Sequence, residues 1–517
     1  MYNYFKDVGT TRYAVDSNNF RKEVQQMKKT ITIILLSALL ASAVACGQEG
    51  KTEGDTTTAK GSSDGSATTV DGASAGAATG RDAVSDDLPE KSYGDKDFTI
   101  LTREKYNYEF SSEADGDVLN DALYNRDRKV EERFGVRIKT VPMDAKWPST
   151  DFNNNLRASI MSGDGAYDLV AGYAATIPNL IGEDLFLNWN DMKYNDFSKP
   201  WWSSQMAEEM NINGKCFMVT GDASIVLWKN MRCMLFNKRL ASEFQIPDLY
   251  ETVRNGEWTF DKLVSVTKGV YKDLDGDSKK SEGDLYGYLT DYTTGVDNLK
   301  EAFEIKVTTK GDDGFPKLTF LNEKTIEAVA KVEDFFYNSG SVFFDNEFCN
   351  KSDQYFSNGQ GLITTCILGN VDIMRAMEDD FGIIPYPKYD SNQKEYHSTA
   401  LDEFTAFVIP KDAKDPDMTS MVLEGIASES YKNVVLTFYD VALKTKGTRD
   451  DESSEMIDII RDGLTFDFGY LNSGALGSVG HLWVNLIREN NSDVASAYDA
   501  KKAEYEEKLD ALLEVYR

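Results

Sequence analysis

The sequence predicts an α/β protein built as two lobes, and three observations carry that prediction. From Asp97 to Ala174 the hydrophobic periodicity reads strand, helix, strand, helix, strand, the pattern of a parallel sheet with helices packed on its faces. A second mixture of helical and strand patterns runs from Lys324 to Ile409. The stretch from Leu88 to Arg517, about 430 residues, is too long for one ordinary core.

An export signal lies close to the start of the sequence. Met27-Lys28-Lys29 precedes fifteen uncharged residues, Thr30–Val44, and then Ala45-Cys46-Gly47. Two lysines before an apolar run too short to span a bilayer read as a secretory signal peptide over residues 27–45. Small residues before Cys46 resemble a bacterial lipobox, although Ala43 stands where that motif prefers leucine. By this resemblance Cys46 is lipidated and becomes the mature N-terminus. Residues 1–26 precede a complete signal, and Lys22-Glu23-Val24 can be encoded by a ribosome-binding sequence, so translation is expected to start at Met27. Residues 46–87 are mostly Gly, Ser, Thr, Ala and Asp, bury too little apolar surface to offset chain entropy, and are expected to be a flexible tether.

The first strand is expected at Asp97–Leu101. Leu119, Leu123, Val130 and Phe134 recur at helical spacing and Gly135 stops that helix. Val136–Val141 is the second strand, Phe152, Leu156 and Ile160 mark a helix ending at Gly163-Asp164-Gly165, and Tyr167–Ala171 is the third strand. Ligands in such sheets sit beyond the carboxyl ends of the strands, which singles out the loops Thr102–Tyr108 and Gly172–Thr176. Further helices are expected at Lys324–Asn338, Val371–Glu378, Pro416–Ser428, Tyr431–Lys444, Ser453–Asp462, Ser478–Glu489 and Val494–Tyr516. Further strands are expected at Gly361–Cys366, Phe381–Ile384 and Thr405–Ile409. No internal repeat is visible.

The formal charge is −30, and residues 1–46 carry a net three positive charges, so the chain from Cys46 onward stands at −33. Such a surface repels nucleic acid and anionic headgroups, which leaves a lipid as the only membrane attachment. Two histidines, His397 and His481, argue against histidine-dependent metal or triad chemistry. Cys216, Cys233, Cys349 and Cys366 lack metal-type spacing and read as buried free thiols rather than disulfides.

One local motif stands out. Asp273, Asp275, Asp277, Ser281 and Asp284, with the backbone carbonyl of Lys279, place oxygen ligands at loop positions 1, 3, 5, 9, 12 and 7, a set that suits Ca²⁺. The loop resembles the dockerin type, with Gly276 at position 4, and departs from the EF-hand pattern in lacking Gly at 6 and Glu at 12. The competing reading is an acidic turn. A bound Ca²⁺ here would be structural.

Several segments together resemble one family over residues 91–517. Glu131-Glu132-Arg133-Phe134-Gly135-Val136 resembles its helix end entering strand two, and Gly163-Asp164-Gly165-Ala166-Tyr167-Asp168-Leu169-Val170 its Gly-Asp-x-Pro-Asp element. Leu235-Phe236-Asn237-Lys238 resembles its Tyr-Asn-Lys strand, and Phe356-Ser357-Asn358-Gly359-Gln360-Gly361 its second-lobe strand entry. Phe381-Gly382-Ile383-Ile384-Pro385-Tyr386-Pro387 resembles the strand leaving that lobe. On these segments the chain is similar to the family 1 extracellular solute-binding proteins, the maltose-binding-protein-like lipoproteins of bacterial ABC importers. The resemblance implies a periplasmic-binding-protein-like (type II) clamshell whose lobes, joined by a hinge, close on a ligand. It places lobe 1 at residues 88–227 plus 388–448 and lobe 2 at 228–387 plus 449–517, with crossovers near Asp222–Trp228 and Tyr386–Glu395.

Sugar recognition needs flat aromatic faces together with carboxylates and amides for hydroxyls. By position the cleft candidates are Tyr173, Trp202, Asp222, Trp228, Asn370, Asp402, Glu403 and Trp483. Core packing is the plain alternative for the tryptophans, and simple solvation for Asp402 and Glu403. The resulting expectation is a monomeric, non-enzymatic protein on the outer face of a bacterial, Gram-positive membrane, binding a carbohydrate for permease subunits of an ABC importer. A receptor presenting ligand to a membrane sensor, and a surface glycoside hydrolase, are the alternatives.

Overall fold

A computed structural model describes residues 80–146, 149–345, 351–443 and 451–517. Cys46, the signal segment, most of the tether and Cys349 lie outside the described residues. The strands, in chain order, are β1 Lys96–Arg103, β2 Val136–Met143, β3 Leu169–Tyr173, β4 Arg232–Asn237, β5 Tyr271–Lys272, β6 Leu285–Asp291, β7 Thr308–Lys310, β8 Pro316–Leu318, β9 Val342–Asp345, β10 Gly361–Ile367, β11 Phe381–Ile384 and β12 Thr405–Val408.

They form two main sheets. The first runs β12-β3-β1-β2, with β1 parallel to both neighbours and β12 antiparallel to β3. Helix Val118–Phe134, capped by Asp117 and stopped by Gly135 at φ 57°, packs with helix Pro416–Glu429 over this sheet. The second sheet runs β11-β4-β10-β6-β5, with β9 beside β6. There β6, β9 and β10 are parallel, while β4 runs against β10 and β11. A small hairpin, β7-β8, stands apart.

Two crossovers join the sheets side by side. Leu401 N–H donates to Asn230 O at 2.8 Å and Arg232 N–H to Thr399 O at 3.3 Å, around the bridge Met231–Ala400. Asn298 braces them: its side-chain oxygen accepts from Thr399 N–H at 2.9 Å and its amide donates to Ser398 Oγ at 3.3 Å. The C-terminal helix Lys502–Leu513 and the residues after it also span both parts. Asn213 and Lys215 bond the carbonyls of Tyr516 and Val515, while Phe468 packs edge-on to Tyr516.

Several boundaries differ from expectation. The third strand starts two residues later than expected and so includes Tyr173. The last helix is broken into Val494–Asp499 and Lys502–Leu513. The folded part begins before Leu88: Arg81 lies over the Tyr431 ring at 4.3 Å, and buried Asp86 pairs with Arg133 at 2.5 Å. Strand β6 was not legible because it is buried on both faces and shows no alternation. Among the described residues no helix is long and apolar enough to cross a membrane.

Candidate ligand-binding cleft

Topology places the carboxyl ends of β1 and β3 and the amino end of β12 on one edge of the first sheet. Arg103 ends β1, Tyr173 ends β3, and Thr405 pairs with Tyr173 in register. Arg103 is buried and donates to Glu403 O at 2.7 Å and Thr405 Oγ1 at 2.9 Å. Its guanidinium sits 4.3 Å from the ring centre of Tyr106 and 5.3 Å from that of Tyr173. Tyr106 in turn donates its hydroxyl to Glu403 Oε2 at 2.6 Å, and Lys105 Nζ pairs with the same oxygen at 2.8 Å. Tyr108 meets Tyr106 edge-on at 6.3 Å and has Lys229 Nζ 5.2 Å from its ring centre. The loop is held from below by Glu109. This buried carboxyl accepts from Ser224 Oγ at 3.0 Å, Val226 N–H at 3.1 Å and the Thr405 hydroxyl, and burial pushes its pKa up.

Asp402 extends the cluster toward the second sheet. It is half-buried, and its pKa is pushed up to about 6 by desolvation and by the Asp297 and Glu403 carboxylates, against the pull of Arg232 and His481. Burial, then the charges of Asp402 and Glu403, likewise hold the Tyr173 hydroxyl protonated. Asp297 is buried, pairs with Arg232 at 3.1 Å and accepts the Tyr470 hydroxyl on the same oxygen. Its other oxygen, Oδ1, is buried without a hydrogen-bond partner, as is Asn230 Nδ2 in the adjoining crossover. On the second sheet's own edge, Asn370 donates to Asp353 Oδ2 at 3.0 Å, and Asp291 caps the residues after β6 through Thr293 and Thr294.

Tyr173, Asp402 and Glu403 therefore come together, and Asn370 lies at the matching edge of the other sheet. The tryptophans do not join them. Trp202 is buried and donates its indole N–H to Glu424 Oε2 at 2.8 Å, beside Trp201 on Oε1, so it packs under helix Pro416–Glu429. Trp228 and Asp222 are buried and spend their polar atoms on each other at 3.0 Å, with Tyr439 edge-on to the indole. Trp483 is fully buried, donates to Val296 O at 2.8 Å and has no face left for a ligand. Arg103, Lys105 and Tyr106 were not among the cleft candidates, although the loop Thr102–Tyr108 that carries them was singled out by its place after the first strand. Asp297 and Tyr470 gave no signal, because their meeting depends on tertiary packing. A groove of about 750 Å³ between the β7-β8 hairpin and the C-terminal helix involves none of these residues.

In the acidic loop the carboxylate oxygens of Asp273, Asp275 and Asp277 lie within 4.8 Å of one another. Asp273 accepts from Gly276 and Ser278 N–H, Ser281 Oγ reaches Asp275 at 3.4 Å, and Asp284 ties Leu274, Ser281 and Tyr271 together. The three aspartates fit a hard cation in donor type and spacing, whereas Asp284, expected as the twelfth-position ligand, spends both oxygens on those donors and lies outside the trio.

No protein-family model matches the chain and no curated protein matches its sequence. Solved structures are similar in fold. A cyclo/maltodextrin-binding protein complexed with maltotetraose has a TM-score of 0.53 at 13% identity, covering 80% of this chain and 97% of that one. The galacto-N-biose-/lacto-N-biose I-binding protein of the ABC transporter from Bifidobacterium longum, in complex with lacto-N-biose, gives 0.52 at 11%, covering 81% and 98%. The maltose-binding periplasmic protein of Listeria monocytogenes, in complex with maltose, gives 0.50 at 14%, covering 81% and 98%. The chain thus has the two-lobe α/β fold of these solved binding-protein structures.

Proposed function

We propose that the chain is a lipid-anchored solute-binding protein on the extracellular face of the cell membrane that captures a carbohydrate, an oligosaccharide by preference, for an ABC importer. Its lobes close on the ligand, and a ligand that contacts both lobes only when they are closed shifts the population to that state. The observation that carries this reading is the edge where Tyr173, Asp402 and Glu403 meet Asp297, whose buried Oδ1 has no donor. Buried polar atoms are ordinarily paired, and a hydroxyl-rich ligand supplies donors there while tyrosine faces take its C–H surface. The similar solved structures are binding proteins, which supports a role without catalysis. The charge of −33 and the export segment support a body held to the membrane by lipid alone.

The test is a thermal-shift screen of the protein against mono- and oligosaccharides. Ligand well above its Kd raises Tm by linkage. One sugar class is expected to raise it by several degrees, and the shift should shrink at least tenfold in apparent affinity in Glu403→Gln. No shift with any sugar, in protein shown to be folded, overturns the carbohydrate assignment.

We also propose that the loop Asp273–Asp284 takes Ca²⁺ as a structural clip. Asp277→Ala is expected to lower Tm in Ca²⁺ and leave it unchanged in chelator. Equal losses in both would remove the ion from the account.

A further inference from the structure

Three cysteines among the described residues are free and buried: Cys216, Cys233 and Cys366. Cys216 stands alone, directing its thiol to Met218 O. The other two do not. Cys233 on β4 and Cys366 on β10 are exact register partners in an antiparallel pair at the middle of the second sheet. Register partners project their side chains to the same face. Their Cα atoms are about 4.5 or 5.5 Å apart depending on the hydrogen-bonding position, and either value falls inside the roughly 4.4–6.8 Å that a disulfide bridges.

We propose that Cys233 and Cys366 form a modification site: an oxidisable pair that closes into a cross-strand disulfide at the ligand edge of the second sheet. The neighbouring Cys233 side chain and burial hold Cys366 protonated. The reaction is thiol–disulfide exchange with a disulfide oxidant, either a small-molecule disulfide or an oxidoreductase. One cysteine, as thiolate, attacks the oxidant to give a mixed disulfide, and the other displaces the leaving thiol. Each cysteine gives up its proton, and the oxidant takes two electrons and departs as two thiols. Because both sulfurs are buried in the finished sheet, exchange in the native state is slow and the bond forms while the chain folds.

Two consequences follow from position. Register partners hold their Cβ atoms about 4.5–5.5 Å apart, and a relaxed disulfide wants about 3.5–4.5 Å, so the bond draws the strands together. Cys366 also donates its thiol to Ile367 O at 3.3 Å, three residues before Asn370, and oxidation removes that S–H donor. Thiol state is thereby coupled to the edge that carries Asn370.

The experiment refolds the full chain in excess oxidised glutathione, blocks remaining thiols under denaturing conditions, and maps peptides by mass. The expected result is a reducible cross-link between the Cys233 and Cys366 peptides, short of two hydrogens. The oxidised protein should also unfold several degrees above the same sample in dithiothreitol, a difference absent from the Cys233→Ser/Cys366→Ser double variant. Both thiols alkylated after oxidative refolding, glutathione adducts in place of a cross-link, or a bridge to Cys216 or Cys349 would each overturn the proposal. The peptide map needs only the unaltered chain, so it decides the matter even where the double variant fails to fold.

Discussion

Asp222 and Asp353 are carboxyls that the fold keeps protonated close to neutral pH. Burial pushes Asp222 up to about 7 against the pull of Arg81 and the Trp228 N–H. Burial also pushes Asp353 up to about 7, with the Asp291 carboxylate adding to it and the Asn370 amide opposing. In the unfolded chain both ionise near an ordinary aspartate value of about 3.9. Between those limits the unfolded state binds fewer protons, so stability is fully present below about pH 4, falls as pH rises to about 7, and is flat above. Tm should therefore be a few degrees higher at pH 5 than at pH 8, and Asp222→Asn should remove part of that slope. An unchanged slope in the variant would show that Asp222 is ionised throughout. At this scale the sequence was partly readable. Tyr173, Asp402 and Glu403 could be picked because they flank strand ends, where an alternating pattern stops. The tryptophans misled, because Trp202, Trp228 and Trp483 each find an internal acceptor for their N–H, and no single-residue signal reveals a partner such as Glu424 two hundred residues away.

At the scale of elements, Gly221 bridges Trp202 at a close backbone approach. A Cβ there would meet Trp201 O at 2.3 Å and Trp202 Cα at 3.0 Å, both backbone atoms that cannot step aside. Gly163, which ends helix Asp151–Ser162 at φ 68°, has nothing within 4 Å of its own Cβ position. Gly221→Ala should cost more than about 2 kcal/mol through overpacking, and Gly163→Ala only about 1 kcal/mol through its left-handed backbone. Denaturant unfolding distinguishes them, and equal losses would remove close backbone packing as the cause. Elements with one buried face were legible. The helix from Val118 to Phe134 declared its 3.6-residue period and its glycine stop, and β1 and β2 declared their starts to within one residue, though each runs two residues further than expected. Strand β6 hid because both its faces are covered.

At the scale of the whole molecule, two lobes followed from chain length and from two separate strand–helix alternations, both of which sequence carries directly. Which strand closes which sheet was beyond periodicity, because it depends on pairings far apart in the chain. Strand β12 is the clearest case: Val408 pairs with Val170, after every strand of the second sheet has intervened. The hinge follows from the same arrangement, since the chain must pass from the first sheet to the second and back, leaving Met231 and Ala400 side by side. This interleaving also sets a timetable for synthesis. The first sheet waits for its outer strand, and for the covering helix Pro416–Glu429, until roughly four-fifths of the polypeptide has left the ribosome, so it cannot mature as an early, independent domain. The nascent chain meets chaperones or a membrane pore while one edge of that sheet is still open, and the two lobes finish folding together rather than in succession.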